Sequence, residues 1–218
     1  MIQAVHQAGT VRCRWVTCDE AFGRDTVFLD QVAGMGLWYF AEVPHDTQGW
    51  RQRPATAVPA WVGQGRNPTR ARLVKGAPAA HTVVAVAAAL PAEHWSRQTI
   101  KAGSQGPRVA DFAALRAIGV REGWPGPEVW WVLRRHVVTG ELKTYLSHAP
   151  AATALPTWVR LRGMRWPIEP CFEDGKQYLG MGDDEVRSWR GWHHHMTRCL
   201  LAHFFLVRRQ LRLKKLPL

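Results

Sequence analysis

The stretch VRCRWVTCD alternates Val11, Cys13 and Trp15 with Arg12 and Arg14, a period of two that predicts a strand ending near Asp19. After a short loop the period changes. Phe28, Leu29, Val32 and Met35 fall at helical spacing, with Asp25 placed to cap the helix and Gly34 and Gly36 to close it. LWYFAEVP then reads as a second strand. Strand, helix, strand in this order is a piece of a layered α/β sheet, in which ligands bind beyond the carboxyl ends of strands. Asp19 lies at such an end.

From Asp46 to about Ala80 the alternation is lost in GWRQRPATAVPAWVGQGRNPTRARLVKGAP, and no acidic residue occurs between Asp46 and Glu93. This stretch reads as a basic loop, either a solvated excursion or a strap that touches phosphates through Arg66, Arg70 and Arg72, with Trp50 and Trp61 available to stack on bases. VVAVAAALPAEHW predicts a short helix. RVADFAALRAI fits helix or strand, while EVWWVLRRHVV and ELKTYLSH, joined at Thr139-Gly140, predict a hairpin. The last third reads as helices: one or two short ones in PTWVRLRGMRWPIEPCFEDGKQYLGM, then a long one carrying Met196, Leu200, Phe204 and Leu211 at helical spacing and ending in basic residues.

The 218 residues, near half of them apolar, suffice for a real core. A formal charge of +12 points to polyanionic partners, with nucleic acid ahead of an anionic membrane surface. No run approaches the ~18 apolar residues of a membrane span, and the N-terminus lacks the charged and apolar regions of a secretory signal. Cys13, Cys18, Cys171 and Cys199 show no paired CxxC spacing, so they read as reduced cysteines of a cytoplasmic protein. Twelve tryptophans in so basic a chain suit base stacking as well as a core.

One stretch, RWPIEPCFEDGKQYLG, sets acids among arginines. At ~100° per residue, Arg165, Glu169 and Lys176 fall on nearly one helical face, and Arg162 joins them. Two readings are open at this point: a ladder of i,i+3 and i,i+4 ion pairs, or a functional face. Pro167 and Pro170 argue for a helix that is kinked or starts late.

The spacing of Arg162, Arg165, Glu169 and Lys176 resembles the Y-x2-R-x3-E-x6-K signature of a branch of DDE-type insertion-sequence transposases. RWPIEPCFEDGKQYLGMGDDEVRSWRGWHHH is similar to one subfamily of them. VTCDEAFGRDTVFLDQVAGMGLWYFAEVP resembles the strand and helix that carry the second aspartate of the same family. IKAGSQGP and WPGPEVWWVLRR look like its β-rich insertion.

The resemblance implies an α/β fold: a partial RNase H-like catalytic core at residues 11–45 and 151–218, interrupted by a basic loop and β-rich insertion module at 46–150, with C-terminal helices. It implies two Mg²⁺ ions held by carboxylates, Asp19 and Glu169 being the catalytic and metal-binding pair. Arg162, Arg165 and Lys176, with the loop residues Arg66, Arg70 and Arg72, would bind DNA at transposon ends. A full-length transposase or a second copy of the chain would be its protein partner, in the bacterial cytoplasm near the nucleoid. The family's first aspartate has no counterpart in MIQAVHQAGT, so the expected chain is truncated, its metal site incomplete and its activity lost when alone. Arg162 in place of Tyr, Pro170 after the glutamate and Gly175 before Lys176 point the same way. The competing expectation is a DNA-binding or transposase-interacting regulator without chemistry.

Overall fold

A computed structural model describes residues 2–9, 11–103, 106–164, 168–183 and 185–213. They form two compact units, Met1–Gly163 and Met164–Leu218.

The first unit begins with a short helix α1 (Ile2–Gln7), followed by β1 (Trp15–Cys18), α2 (Glu20–Gly23), α3 (Thr26–Gly34) and β2 (Trp38–Val43). The helical pattern is borne out, and the period-two stretch forms a strand only from Trp15 to Cys18, with Val11 to Arg14 outside it: β1 and β2 pair in parallel, and α3 is capped by Asp25, whose carboxylate accepts from the Phe28 amide at 2.9 Å. Next come β3 (Gln48–Trp50), the small pair β4 (Thr56–Ala57) and β5 (Arg72–Leu73), β6 (His81–Thr82) and α4 (Val83–Ala89). The unit closes with β7 (Ser96–Gly103), β8 (Gly106–Arg121), β9 (Trp124–His136), β10 (Leu142–Ser147) and α5 (Leu155–Met164).

Eight strands make one mixed sheet in the order β1-β2-β10-β9-β8-β3-β6, with β7 beside β8. The β9–β10 hairpin forms as its pattern predicts, and β10 pairs directly with β2. Residues 46–150 thus contribute every strand of that sheet except β1 and β2. RVADFAALRAI resolves as strand. Its ambiguity has a physical cause: both faces of β8 are covered, so Ala110, Phe112, Ala113, Leu115 and Ala117 are all buried and the polar half of the alternation is missing.

One face of the sheet carries Tyr39, Ala41, Val43, Ala113, Leu115, Trp131 and Leu133 against Leu29 and Val32 of α3 and Val83 and Ala87 of α4. The opposite face carries Phe40, Phe112, Val132 and Tyr145 against Trp158, Val159 and Leu161 of α5. Phe40 stacks on Tyr145 with centroids 4.7 Å apart, and Trp158 lies over Phe40 at 5.9 Å. Emptying the fully buried Trp158 site by truncation to Ala would cost about 3–5 kcal/mol.

The second unit contains α6 (Ile168–Tyr178) and α7 (Trp189–Leu213). Contacts run antiparallel along the pair. Cys171 Sγ meets His203 Nε2 at 3.3 Å, and just past the end of α6 the carbonyl of Leu179 accepts from Cys199 Sγ at 3.1 Å. Pro170 is the third residue of α6, in the first turn, where backbone amides have no intrahelical acceptor and a missing one costs little. Gly175 is no misfit: a Cβ there would come within 3.0 Å of Met181 Cε, which packs on the bare backbone. The apolar stripe of α7 differs from a core stripe, since Leu200, Phe204 and Leu211 are exposed while Cys199 is buried.

Candidate nucleic-acid and metal site

Asp19 follows the last residue of β1 and caps α2, its Oδ1 accepting from the Phe22 amide at 3.3 Å. The carboxylate is exposed, so its remaining lone pairs face outward. Glu20 is occupied elsewhere, bound to Arg24 at 2.7 Å. Gly23 presses α2 onto β2: a Cβ at this position would overlap the Glu42 carbonyl oxygen. That close approach ties the exit of β1 to the end of β2.

Cys18 pairs with Ala41, so Asp19 and Glu42 come next in register on neighbouring strands. Asp19 keeps an extended backbone (φ −81°, ψ −177°), which continues the alternation of Trp15 and Thr17 and puts it on the α5 face, with Phe40 and Glu42. Glu42 is largely buried and meets Lys143 Nζ at 2.9 Å. On β10, Tyr145 pairs with Glu42, and Arg134 of β9 pairs with Lys143, all on this same face. Arg162 reaches it from α5, one turn beyond Trp158. Burial pushes the Tyr145 phenol up, while Arg162 and Arg134 draw it down and Glu42 adds to the rise. Glu42, Arg134, Lys143 and Tyr145 were missed from sequence. Only the pairing of β1, β2, β10 and β9 sets them on one face with Asp19.

Of the basic loop, Arg66, Arg70 and Arg72 are all exposed. Trp61 is exposed, its Nε1 donating to the Gly65 carbonyl at 3.2 Å. Trp50 is a correction. It is buried, with Nε1 donating to the Pro78 carbonyl at 2.9 Å, and cannot stack on a base.

In the second unit, Glu169 sits in the first turn of α6 and Lys176 two turns on, both exposed. Arg165 lies outside the described residues. Glu173 accepts from Gln177 Nε2 at 3.3 Å. Of the histidines, His195 contacts the Gly180 carbonyl at 2.8 Å through Nε2 and holds the turn after α6. Asp19 and Arg162 thus belong to the first unit, Glu169 and Lys176 to the second. Both carboxylates are hard oxygen donors open to solvent, the chemistry Mg²⁺ selects. Among the described residues, no three His, Cys, Asp or Glu side chains gather as a ready metal site.

A sheet with parallel β1 and β2, helices on both faces and an acid at the carboxyl end of β1 is compatible with an RNase H-like nuclease fold. The family model described as DDE superfamily endonuclease matches residues 1–107, a stretch that contains Asp19, α2, α3 and the basic loop. Glu169 and its flanking signature fall beyond the matched residues. No curated protein matches the chain. Among the described residues, no helix is long and apolar enough to cross a membrane.

Proposed function

We propose that the chain supplies part of the catalytic machinery of a DDE-type DNA transposase, which cuts phosphodiesters and transfers strands with Mg²⁺. The observation that carries this reading is Asp19, an exposed carboxylate at the carboxyl end of a parallel strand, inside the stretch that matches the endonuclease family. Asp19 and Glu169 would hold the divalent ions, with Arg162, Arg165 and Lys176 steadying the phosphates beside the cut and Arg66, Arg70 and Arg72 the flanking duplex. Bound ions would neutralise charge at phosphorus and lower the pKa of an attacking water or 3′-hydroxyl.

Titration of Mn²⁺ followed by electron paramagnetic resonance tests the reading without requiring turnover. Binding that falls in both Asp19→Ala and Glu169→Ala is expected. Binding indifferent to both substitutions would overturn it.

A second reading, a regulator that binds DNA without chemistry, is favoured by the exposed loop arginines beside the exposed Trp61. It prevails if charge reversal at Arg66, Arg70 and Arg72 abolishes salt-dependent DNA binding while Glu169→Ala leaves every activity intact.

A further inference from the structure

Trp189 and Trp192 open α7 about one turn apart, and neither ring is buried: Trp189 is 75 % exposed and Trp192 39 %. Their planes lie 19° from parallel with centroids 5.5 Å apart, within the range of a favourable aromatic stack. His193 sets its ring edge-on against both, at 4.3 Å from Trp189 and 5.1 Å from Trp192. Large rings left in water forgo most of the stabilisation that burial gives. An ordered stack in that condition is a surface suited to a planar ligand.

The turn before the helix fixes the pair. Ser188 Oγ accepts from the Gly191 amide at 3.0 Å, and the Ser188 carbonyl accepts from the Trp192 amide at 2.9 Å. A Cβ on Gly191 would come within 2.9 Å of Ser188 Oγ and 3.1 Å of Val186 Cβ, so the turn packs on bare backbone. Arg190, His194 and Arg198, all exposed, recur every four residues alongside the rings, ~6 Å apart along the helix axis. No Asp or Glu occurs from Val186 to the C-terminus, the acids at 183–185 coming before the capping turn.

We infer that Trp189 and Trp192 form a stacking platform for unpaired bases of single-stranded DNA. A paired base keeps both faces inside the duplex stack, so only an unpaired one can lie flat on an indole. Cations that track the backbone beside aromatic rings that take the bases are the combination that binds single strands. Because His193 braces the stack before a ligand arrives, little side-chain freedom remains to be lost on binding. An anionic lipid surface would also attract tryptophan and arginine, but it asks for no parallel stack. The inference deepens the proposed function and rests on it for the choice of DNA; it adds the form of DNA that the second unit takes, a strand with its bases free.

The test is fluorescence anisotropy of the full chain, without metal, with a labelled oligothymidine strand, an abasic strand of equal length and charge, and a duplex. Trp189→Ala and Trp192→Ala should each weaken binding of the thymidine strand by about tenfold, as for the loss of one stacked base, and leave its salt dependence unchanged because no charge is lost. Trp189→Phe, which keeps a ring, should recover part of the loss. Affinity for the abasic strand and the duplex should stay within about twofold of the unaltered chain, since neither offers a free base. Circular dichroism melts check that the variants fold, as substitution at so exposed a position as Trp189 allows. Unaltered affinity for the thymidine strand in both alanine variants, or an equal loss on the abasic strand, would overturn the platform. So would release of Trp189→Ala from phosphatidylglycerol vesicles with thymidine-strand binding intact, which would make the rings a lipid anchor. With metal absent, the outcome is independent of the nuclease: a base-dependent loss in Trp189→Ala beside Mn²⁺ binding indifferent to Asp19→Ala would retain the platform and remove the nuclease.

Discussion

The backbone of Gly23 lies directly against the carbonyl oxygen of Glu42, with no space for even a methyl group between α2 and β2. The contact locks the turn after Asp19 to the strand that carries Glu42.

Gly23→Ala should therefore destabilise the first unit by roughly 2–3 kcal/mol or more, because the obstacle is backbone and cannot swing aside. Urea unfolding followed by circular dichroism measures it. A midpoint equal to that of the unaltered chain would show that α2 is not clamped to β2.

Asp19 has two tasks that substitution can separate. Asparagine caps a helix about as well as aspartate, so Asp19→Asn should leave stability within about 0.5 kcal/mol, whereas Asp19→Ala should lose ~1 kcal/mol. Both should reduce Mn²⁺ binding alike, since neither retains the charge. Equal stability losses for the two variants would argue against the capping role.

Tyr39 and His148, whose rings meet at a tilt with centroids 4.4 Å apart, should shape both ends of the pH profile. Burial lowers the pKa of His148 below its ordinary 6.5, with Asp30 opposing. The unfolded chain then takes up a proton that the folded chain refuses, so stability falls as the pH drops below about 6.5. Burial pushes the Tyr39 phenol from 10.0 up to about 12, against the pull of Arg121. Its contribution is whole below pH 10.0 and is lost as the pH rises towards about 12. His148→Gln should flatten the acid limb and Tyr39→Phe the alkaline limb, read from thermal melts across pH; unchanged limbs would refute the assignments.

Gly175→Ala pits two effects against each other. Helix propensity alone favours alanine by about 1 kcal/mol, but the new methyl would press on Met181. Met181 Cε is the far end of a flexible side chain and can yield by a few tenths of an ångström, so the net effect should be a gain of less than ~1 kcal/mol, and Met181→Ala in the same chain should enlarge it. A net loss would show that Met181 is held too firmly to yield.

The parallel β1–α3–β2 unit was legible because its periods are clean and its caps are local: Asp25 sits three residues before the amide it holds. The β9–β10 hairpin was legible for the same reason. β8 was not, since a strand covered on both faces loses the alternation that would declare it. The candidate site divides along the same line. Asp19 could be found from its place after a strand and its resemblance to a family motif. Glu42, Arg134 and Tyr145 could not, because only the pairing of β2, β10 and β9 brings residues so far apart in the chain onto one face. Trp50 misled for a related reason: a tryptophan within an arginine-rich stretch looks available until β3 is seen to run beside β8.

Among the described residues, the short strand β1 ends the eight-stranded sheet and is paired along one flank. Amide and carbonyl groups on the other flank make a docking rail for any extended peptide that arrives there, including the same segment of another molecule. At rising concentration the purified chain should therefore show growing intermolecular β-structure in the infrared amide band, and an added strand that fills the rail should suppress it. Trp15 and Val16, flanked by Arg12 and Arg14, set the terms of that competition: greasy enough to invite a neighbour, charged enough to delay it.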